Sequence, residues 1–477
     1  MKKLIVLTIV LLSCQLTINA QDKKDNFQGF REKILSDFQN YRQSVLDKYA
    51  DFLAGIWKDY DINTGYKWNP LPKPKQQPVK EKDAPPPPPK TIEPENIKPA
   101  EPVVPNEPPQ QKPKPVVVDP MKAIKFDWCG MTLQLPDAKI EGNLNGIGKD
   151  EILAFLEVLE NSKLDKDVLP QMANIANSGN FNDWCLYLMI ESYVKKIKAN
   201  SNINTRNFIC WYIMVSFGFD VRICSNGKNI FYMIPFQQKV YAHDFLLINN
   251  TPYYIWGEGE FGKDDRINSP ELPDDVGSFV NLVMLKPLNI PYLAKRFSHT
   301  FSGYTLSGAV NENLIKVMNK FPQMSIPCYA ISEGDPKARK QVLDQMGKFI
   351  SGMSELEAAN FILQFIQSFD YATDDEQFGY EKPFFFEETL YYPKCDCEDR
   401  AIFYHFLVTN LLRNDVHLVH YPNHMCNAVN FSQRLNADSY IYQGRQYVIC
   451  DPTYIGAPIG MCMPDFRNTS PEVELVK

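Results

Sequence analysis

A chain of 477 residues with 50 basic and 57 acidic side chains carries a formal charge of −7. That balance leaves no basic footprint for nucleic acid, and the length makes room for two or three domains rather than one. The 11 cysteines are not spaced as in a small disulfide scaffold, and no stretch beyond the amino terminus is long and apolar enough to span a bilayer.

Met1-Lys2-Lys3 followed by the apolar run Leu4 to Leu12 reads as the start of a secretory signal, residues 1–20. Ile18-Asn19-Ala20 forms a cleavage site. Leu11-Leu12-Ser13-Cys14 is a rival site, at which Cys14 would be lipidated. Both readings export the protein, to the periplasm or the cell envelope.

Residues 21–67 read as an amphipathic helix with a repeat of 11. Phe27, Phe30 and Ile34 are echoed by Phe38, Tyr41 and Val45, then by Tyr49, Phe52 and Ile56, with Tyr60 opening a fourth copy. Spacings of 3, 4 and 4 place these on one stripe of a nearly straight, coiled-coil-like helix. The stripe either packs on its own domain or docks a protein partner or a second copy. Residues 68–120, with Pro85 to Pro89 and repeated Lys-Pro and Glu-Pro pairs, read as a disordered spacer.

The folded region resumes near residue 121. Helical patterns over Asp150 to Leu159 and Trp184 to Ile197 precede an apolar helix around Arg206 that passes through Gly218 into a strand. This segment parallels the one that follows Asp399-Arg400, and matching the two arginines sets Ile203 against Cys397. Tyr241-Ala242-His243-Asp244 and Pro252 to Trp256 imitate the strands that carry His424 and Asp451. Residues 121–300 thus read as an α+β domain that is a degenerate copy of the last one, with chance similarity of a common helix–strand unit as the alternative.

In the last domain, 301–477, Ser354 and Glu357 mark a helix start by their capping-box spacing. Asp370-Tyr371, Phe378 to Tyr380 and Phe384 to Leu390 lead to Cys395-Asp396-Cys397-Glu398-Asp399-Arg400-Ala401 and an apolar helix from Ile402 to Leu412. A thiol that opens a helix meets the positive end of the dipole, which favours thiolate. Asn423-His424-Met425 and Cys450-Asp451-Pro452-Thr453 follow at strand boundaries.

At these residues the sequence resembles the transglutaminase-like superfamily of papain-like cysteine enzymes. Asp396-Cys397-Glu398-Asp399-Arg400-Ala401 matches the family's helix start, with Cys395 in place of the usual Gly. Asp451-Pro452-Thr453 matches the strand end. His424-Met425 matches in part, because Met stands where an aromatic is usual. The resemblance implies an α+β fold with Cys397 as nucleophile, His424 as base and Asp451 as its orienter, and no cofactor or metal. It also implies a peptide or protein amide substrate and an approach to Cys397 that lines the cleft. The alternatives are inert buried cysteines, Cys395 as the nucleophile, a zinc site drawn from Cys395, Cys397, His424, Cys426 and Cys450, and a Cys426–Cys450 disulfide. His405 reads as a hydrogen-bonded core histidine, while His417 and His420 compete with His424. Two functions follow: an exported cysteine hydrolase or acyltransferase (peptidase, amidase or transglutaminase), or a catalytically inactive adaptor of the envelope.

Overall fold

The computed structural model describes residues 53, 57–67, 91–92, 96–98, 123–262, 265–270 and 277–476. The stretch read as a secretory signal, with Cys14 and Ala20, the repeat from Phe27 to Ile56 apart from Leu53, and most of the Pro-rich stretch lie outside them. No helix among the described residues is long and apolar enough to cross a membrane.

The fold is mixed α+β. Strands β1 (Trp57–Tyr60), β2 (Thr91–Ile92) and β3 (Asn96–Lys98) precede a hairpin of β4 (Ala123–Trp128) and β5 (Met131–Pro136). Helices α1 (Lys149–Glu160), α2 (Leu169–Gly179), α3 (Asp183–Ile197) and α4 (Ile203–Ser216) lead into β6 (Arg222–Ser225), β7 (Ile230–Ile234), β8 (Phe245–Ile248), β9 (Thr251–Trp256) and β10 (Ile267–Pro270). A hairpin of β11 (Ala294–Phe301) and β12 (Tyr304–Asn311) opens the second half. Helices α5 (Glu312–Met318), α6 (Ile326–Ile331), α7 (Pro336–Phe349), α8 (Glu355–Gln367), α9 (Asp374–Phe378), α10 (Phe386–Tyr391) and α11 (Cys397–Leu411) follow. The last strands are β13 (Asp415–Tyr421), β14 (His424–Asn430), β15 (Ser439–Tyr442), β16 (Arg445–Cys450) and β17 (Glu472–Glu474).

The two halves repeat one plan. Helix α4 packs on β7 and helix α11 on β14. The strand orders are β8-β9-β7-β6-β10 and β15-β16-β14-β13-β17, and every neighbouring pair in both is antiparallel. Ile203 and Cys397 each open the helix of their half. Arg206 and Arg400, three residues on, both reach the chain two residues past the equivalent strand end: Arg206 Nε donates to Glu258 at 2.9 Å, and Arg400 Nη1 to the Pro452 carbonyl at 3.4 Å. The strand that corresponds to β14 is therefore β7, which contains no histidine. His243 precedes β8, the counterpart of β15, because the helix is followed directly by the β6–β7 hairpin and not by the pair that includes His243.

Each sheet closes on itself around a segment from the amino-terminal part of the chain. Thr91 and Ile92 pair with β15, while Asn96 to Lys98 pair with β17 at the opposite edge. Four peptide steps from Ile92 to Asn96 reach at most about 14 Å, whereas six strand spacings across a flat sheet need about 29 Å. In the first half, Tyr60 pairs with Ile267 on β10 and Asn63 with Phe245 on β8, only three residues apart. Closure through these segments covers the outer strands of the two large sheets. Part of the range read as spacer is thus strand. Trp57–Tyr60, read as helix, is strand too, because pairing with β10 satisfies its backbone where a helix end would not.

Alternate residues sort onto two faces. In the second half Met425 and Val429 join the main core with α11, while Cys426 and Ala428 line the barrel interior with Tyr421, Tyr440, Cys462 and Phe466. Helix α8 begins as the capping box requires: the Ser354 N–H donates to Glu357 Oε2 at 2.8 Å and the Glu357 N–H to Ser354 Oγ at 3.4 Å.

Two outcomes are expected. Deleting residues 21–67 removes β1 and the Asn63 bridge and lowers the melting temperature, which calorimetry beside the full chain checks. His405, inside α11, is buried with no hydrogen-bond partner at Nδ1 among the described residues, and burial lowers its pKa from 6.5 to about 4. The unfolded chain takes up a proton below pH 6.5 that the folded chain refuses, so stability is lost as pH falls from 6.5 towards 4. By pH 4.5 this group costs roughly 2 kcal/mol. Urea midpoints of wild type should fall more between pH 7 and 4.5 than those of His405→Leu.

Candidate active site

Three element ends meet at one end of the second barrel. Helix α11 has 15 residues and spans about 22 Å; Arg413, at φ +64°, turns the chain, and β13 runs back about 24 Å along the helix. The Pro422-Asn423 turn then reverses it, so His424 arrives at the level of the helix start and Cys397. Strand β16 returns antiparallel to β14 with Cys450 opposite Asn427, which carries Asp451 back towards His424. Asn427 Nδ2 donates to the Ala401 carbonyl at 3.0 Å and locks helix to barrel, while Arg400 Nη2 ties the helix start to the Phe369 carbonyl, just past α8, at 2.6 Å.

The structure brings His424 and Asp451 together. His424 Nε2 lies 2.8 Å from Asp451 Oδ2, and both side chains are buried. Asp451 Oδ1 accepts the Thr453 and Tyr454 amides at 2.9 and 3.2 Å, so all its acceptor strength points inward. Gln367, the last residue of α8, fastens this corner: Nε2 donates to the Asp451 and Ala457 carbonyls at 3.0 Å each, and Oε1 accepts the Gly456 amide at 3.0 Å. The imidazole stacks on Phe466 at 5.2 Å between ring centres. With Nε2–H donated to a carboxylate, Nδ1 is the acceptor nitrogen, and it has no hydrogen-bond partner among the described residues. By alternation His424 belongs to the barrel-interior face of β14, while α11 packs on the opposite face.

Cys397 stands at the first position of α11, fully buried, and its Sγ donates to Glu398 Oε2 at 3.0 Å. Asp399 holds the helix start by accepting the Asp396 amide at 3.1 Å and the Phe384 amide at 2.8 Å. Burial, then the nearby acids Asp396, Asp374 and Glu398, push the Asp399 carboxyl well above the ordinary range. Asp374, Glu381, Asp396, Glu398 and Asp399 converge in overlapping groups of three whose ligand atoms lie within 4.8 Å, with Cys397 in one of them. These are the described groups whose oxygens could surround a cation.

The other cysteines and histidines are placed elsewhere. Cys395 is buried with its amide on the Asp370 carbonyl at 3.1 Å, and burial raises its thiol pKa despite Arg400. Cys426 faces the barrel interior and Cys450 the helix side, so neither a disulfide nor a shared zinc ion can join them; both thiols are free. His417 is in the barrel, its Nδ1 2.8 Å from Tyr440 Oη and its ring stacked on Tyr447. His420 faces Glu472 at 3.6 Å. His243 lies against Trp256 with ring centres 3.5 Å apart and planes tilted by 50°, and burial lowers its pKa to about 4. Gln367 and Phe466 carry no motif of their own, and Glu398 and Arg400, though inside the stretch around Cys397, carry no sequence signal for a role at the site.

No family model matches the chain, no curated protein matches its sequence, and no solved structure matches its fold.

Gln367→Leu takes the partner from two buried carbonyls, each worth about 1–3 kcal/mol, and from the more exposed Gly456 amide. The expected result is a loss of about 3 kcal/mol or more in denaturant titrations, with the 451–457 corner losing amide-exchange protection first.

Proposed function

We propose that residues 301–477 form a transglutaminase-like cysteine enzyme unit that cleaves or transfers an amide acyl group through a thioester on Cys397. The observation that carries this is the His424–Asp451 pair, which fixes the tautomer with Nδ1 as acceptor at the end of the barrel where α11 begins with a thiol. In the reaction His424 Nδ1 takes the Cys397 proton and the thiolate attacks the amide carbonyl carbon. The tetrahedral oxyanion collapses to a thioester as His424 returns the proton to the leaving amine. Water then gives the acid, or an amine gives a new amide, and the thiol is restored. The amino terminus of α11 turns the positive end of its dipole towards the oxyanion, with the Cys397 backbone N–H as a donor. The substrates are peptide, protein or cell-wall amides outside the cytoplasm, and the protein is exported.

Residues 121–300 are proposed as a non-catalytic copy, supported by the common strand order, by Ile203 at the helix start and by a β7 without histidine. A second reading, an inactive envelope adaptor that keeps the fold for binding, is favoured by the burial of Cys397, His424 and Asp451 and by the thiol's bond to Glu398.

A thiol-directed probe applied to the full chain tests the choice. Labelling of wild type that vanishes in Cys397→Ala and in His424→Ala at neutral pH, weakens in Asp451→Asn with the fold intact, and persists in His243→Ala supports the enzyme. Labelling that is absent from wild type, or indifferent to His424, supports the adaptor.

A further inference from the structure

The hairpin of β11 and β12 is served along one edge and bare along the other. Its turn, with Ser302 at φ +48° and Gly303 at φ +83°, is the two-residue kind that makes Phe301 and Tyr304 a hydrogen-bonded pair. Bonded and non-bonded pairs then alternate without a bulge. Ser307, Ala309 and Asn311 therefore turn their backbone groups outward from β12, and Arg296, Ser298 and Thr300 turn theirs outward from β11. On the β12 side, residues on and just before α7 meet these groups. The Ser307 N–H donates to Gln345 Oε1 at 3.1 Å, the Ala309 N–H to Gln341 Oε1 at 3.2 Å and the Asn311 N–H to Asp335 Oδ2 at 2.9 Å. Gln345 Nε2 donates in turn to the Ser307 carbonyl at 2.7 Å. On the β11 side no described group bonds the backbone of Arg296, Ser298 or Thr300, and all three residues are exposed.

The bare strand is nonetheless held in place from behind. Phe301 packs on Phe361 and Phe365, and His299 stacks on Phe369 with its Nε2 2.7 Å from Ser368 Oγ. A fixed edge with neither proline nor bulge is a template for one more strand. Side chains narrow the choice of occupant. Lys295 and Arg296 are exposed and belong to no ion pair among the described residues, so they work against a second copy of β11 and attract a strand that carries carboxylates. Leu293, just before the strand, is 44% exposed, and Phe297 and Phe301 are half-buried on the same face, which suits alternate apolar side chains.

We propose that the free edge of β11 docks an extended acidic segment of another protein, which joins the hairpin as a third strand and sets its carboxylates against Lys295 and Arg296. The backbone groups of Arg296, Ser298 and Thr300 then gain partners, and apolar side chains of the segment cover Leu293, Phe297 and Phe301. This edge uses none of Cys397, His424 and Asp451, so it stands whether or not those three are catalytic.

The probe is a fluorescent octapeptide of alternating threonine and valine with two glutamates at one end, made in both orders so that either strand direction is offered. Its binding to the full chain is followed by anisotropy, and amide exchange of residues 294–301 is read with and without it. The expected result is saturable binding that slows exchange in β11. Ser298→Pro removes an outward N–H that the hairpin does not use, at an edge position where proline is tolerated, so binding should be lost at an unchanged melting temperature. Lys295→Glu with Arg296→Glu should weaken binding about tenfold. Should Ser298→Pro melt early, the charge-reversed pair decides alone, and unchanged affinity there overturns the proposal. Binding that survives in a folded Ser298→Pro, or none up to about 1 mM peptide, overturns it too. So does a β11 already protected in the free chain: protection lost on dilution assigns the edge to a second copy, and protection that persists assigns it to another part of the same chain.

Discussion

The burial of the α11 amino terminus is the constraint on which the second half of the molecule depends. Cys397, Glu398, Asp399 and Arg400 are consecutive, and all four are withdrawn from water at the start of a helix that is apolar along most of its length. Desolvated polar groups must find partners or the fold is lost. Asp399 takes the amides of Asp396 and Phe384, and Arg400 takes the carbonyls of Phe369 and Pro452. These demands fix the course of the chain from Phe369 to Phe384 and tie the end of β16 to the helix. The position of Asp451, and through it of His424, is thus a consequence of satisfying an arginine one turn into a buried helix.

The first half solves the same problem with different residues. Ile203 needs no polar partner, and Arg206 pairs with Glu258 at 2.9 and 2.6 Å in a two-point contact that a carbonyl cannot offer. Asn207, next along α4, donates to the carbonyls of Ile230 and Glu258 and accepts the Glu258 amide, binding helix, β7 and the β9 end. An ion pair at the helix–strand junction there replaces the thiol, imidazole and carboxylate of the second half. The shared frame carries the stability, while the side chains at its helix–strand junction differ between the two halves.

What could be read from the sequence follows the reach of local signals. The start of α11 at Cys397, the strand end at Asp451-Pro452, the Ser354 capping box and the match of Arg206 with Arg400 are short-range patterns, and each is where it was expected. The first-half counterpart of β14 is β7 and not the strand after His243, because strand order is decided by hairpin connectivity that residue type does not encode. Trp57–Tyr60 and the strands within the Pro-rich stretch were illegible for a related reason. Their pairing depends on barrel edges more than 200 residues away, and local composition argues for helix and spacer. The Cys397–Glu398 bond was invisible since neighbours in a helix do not ordinarily face each other, and a terminus relaxes that rule.

The two halves of the candidate site are unequally prepared. On the barrel side three hydrogen bonds to Asp451 hold the carboxylate and orient the imidazole, so little reorganisation is needed there. On the helix side the Cys397 Sγ–H is donated to Glu398 Oε2 at 3.0 Å, and chemistry at that thiol has first to give up this bond. A ligand shifts the site out of that arrangement only through contacts it makes better once the thiol is released, and one with no such contacts leaves the population unchanged however tightly it binds.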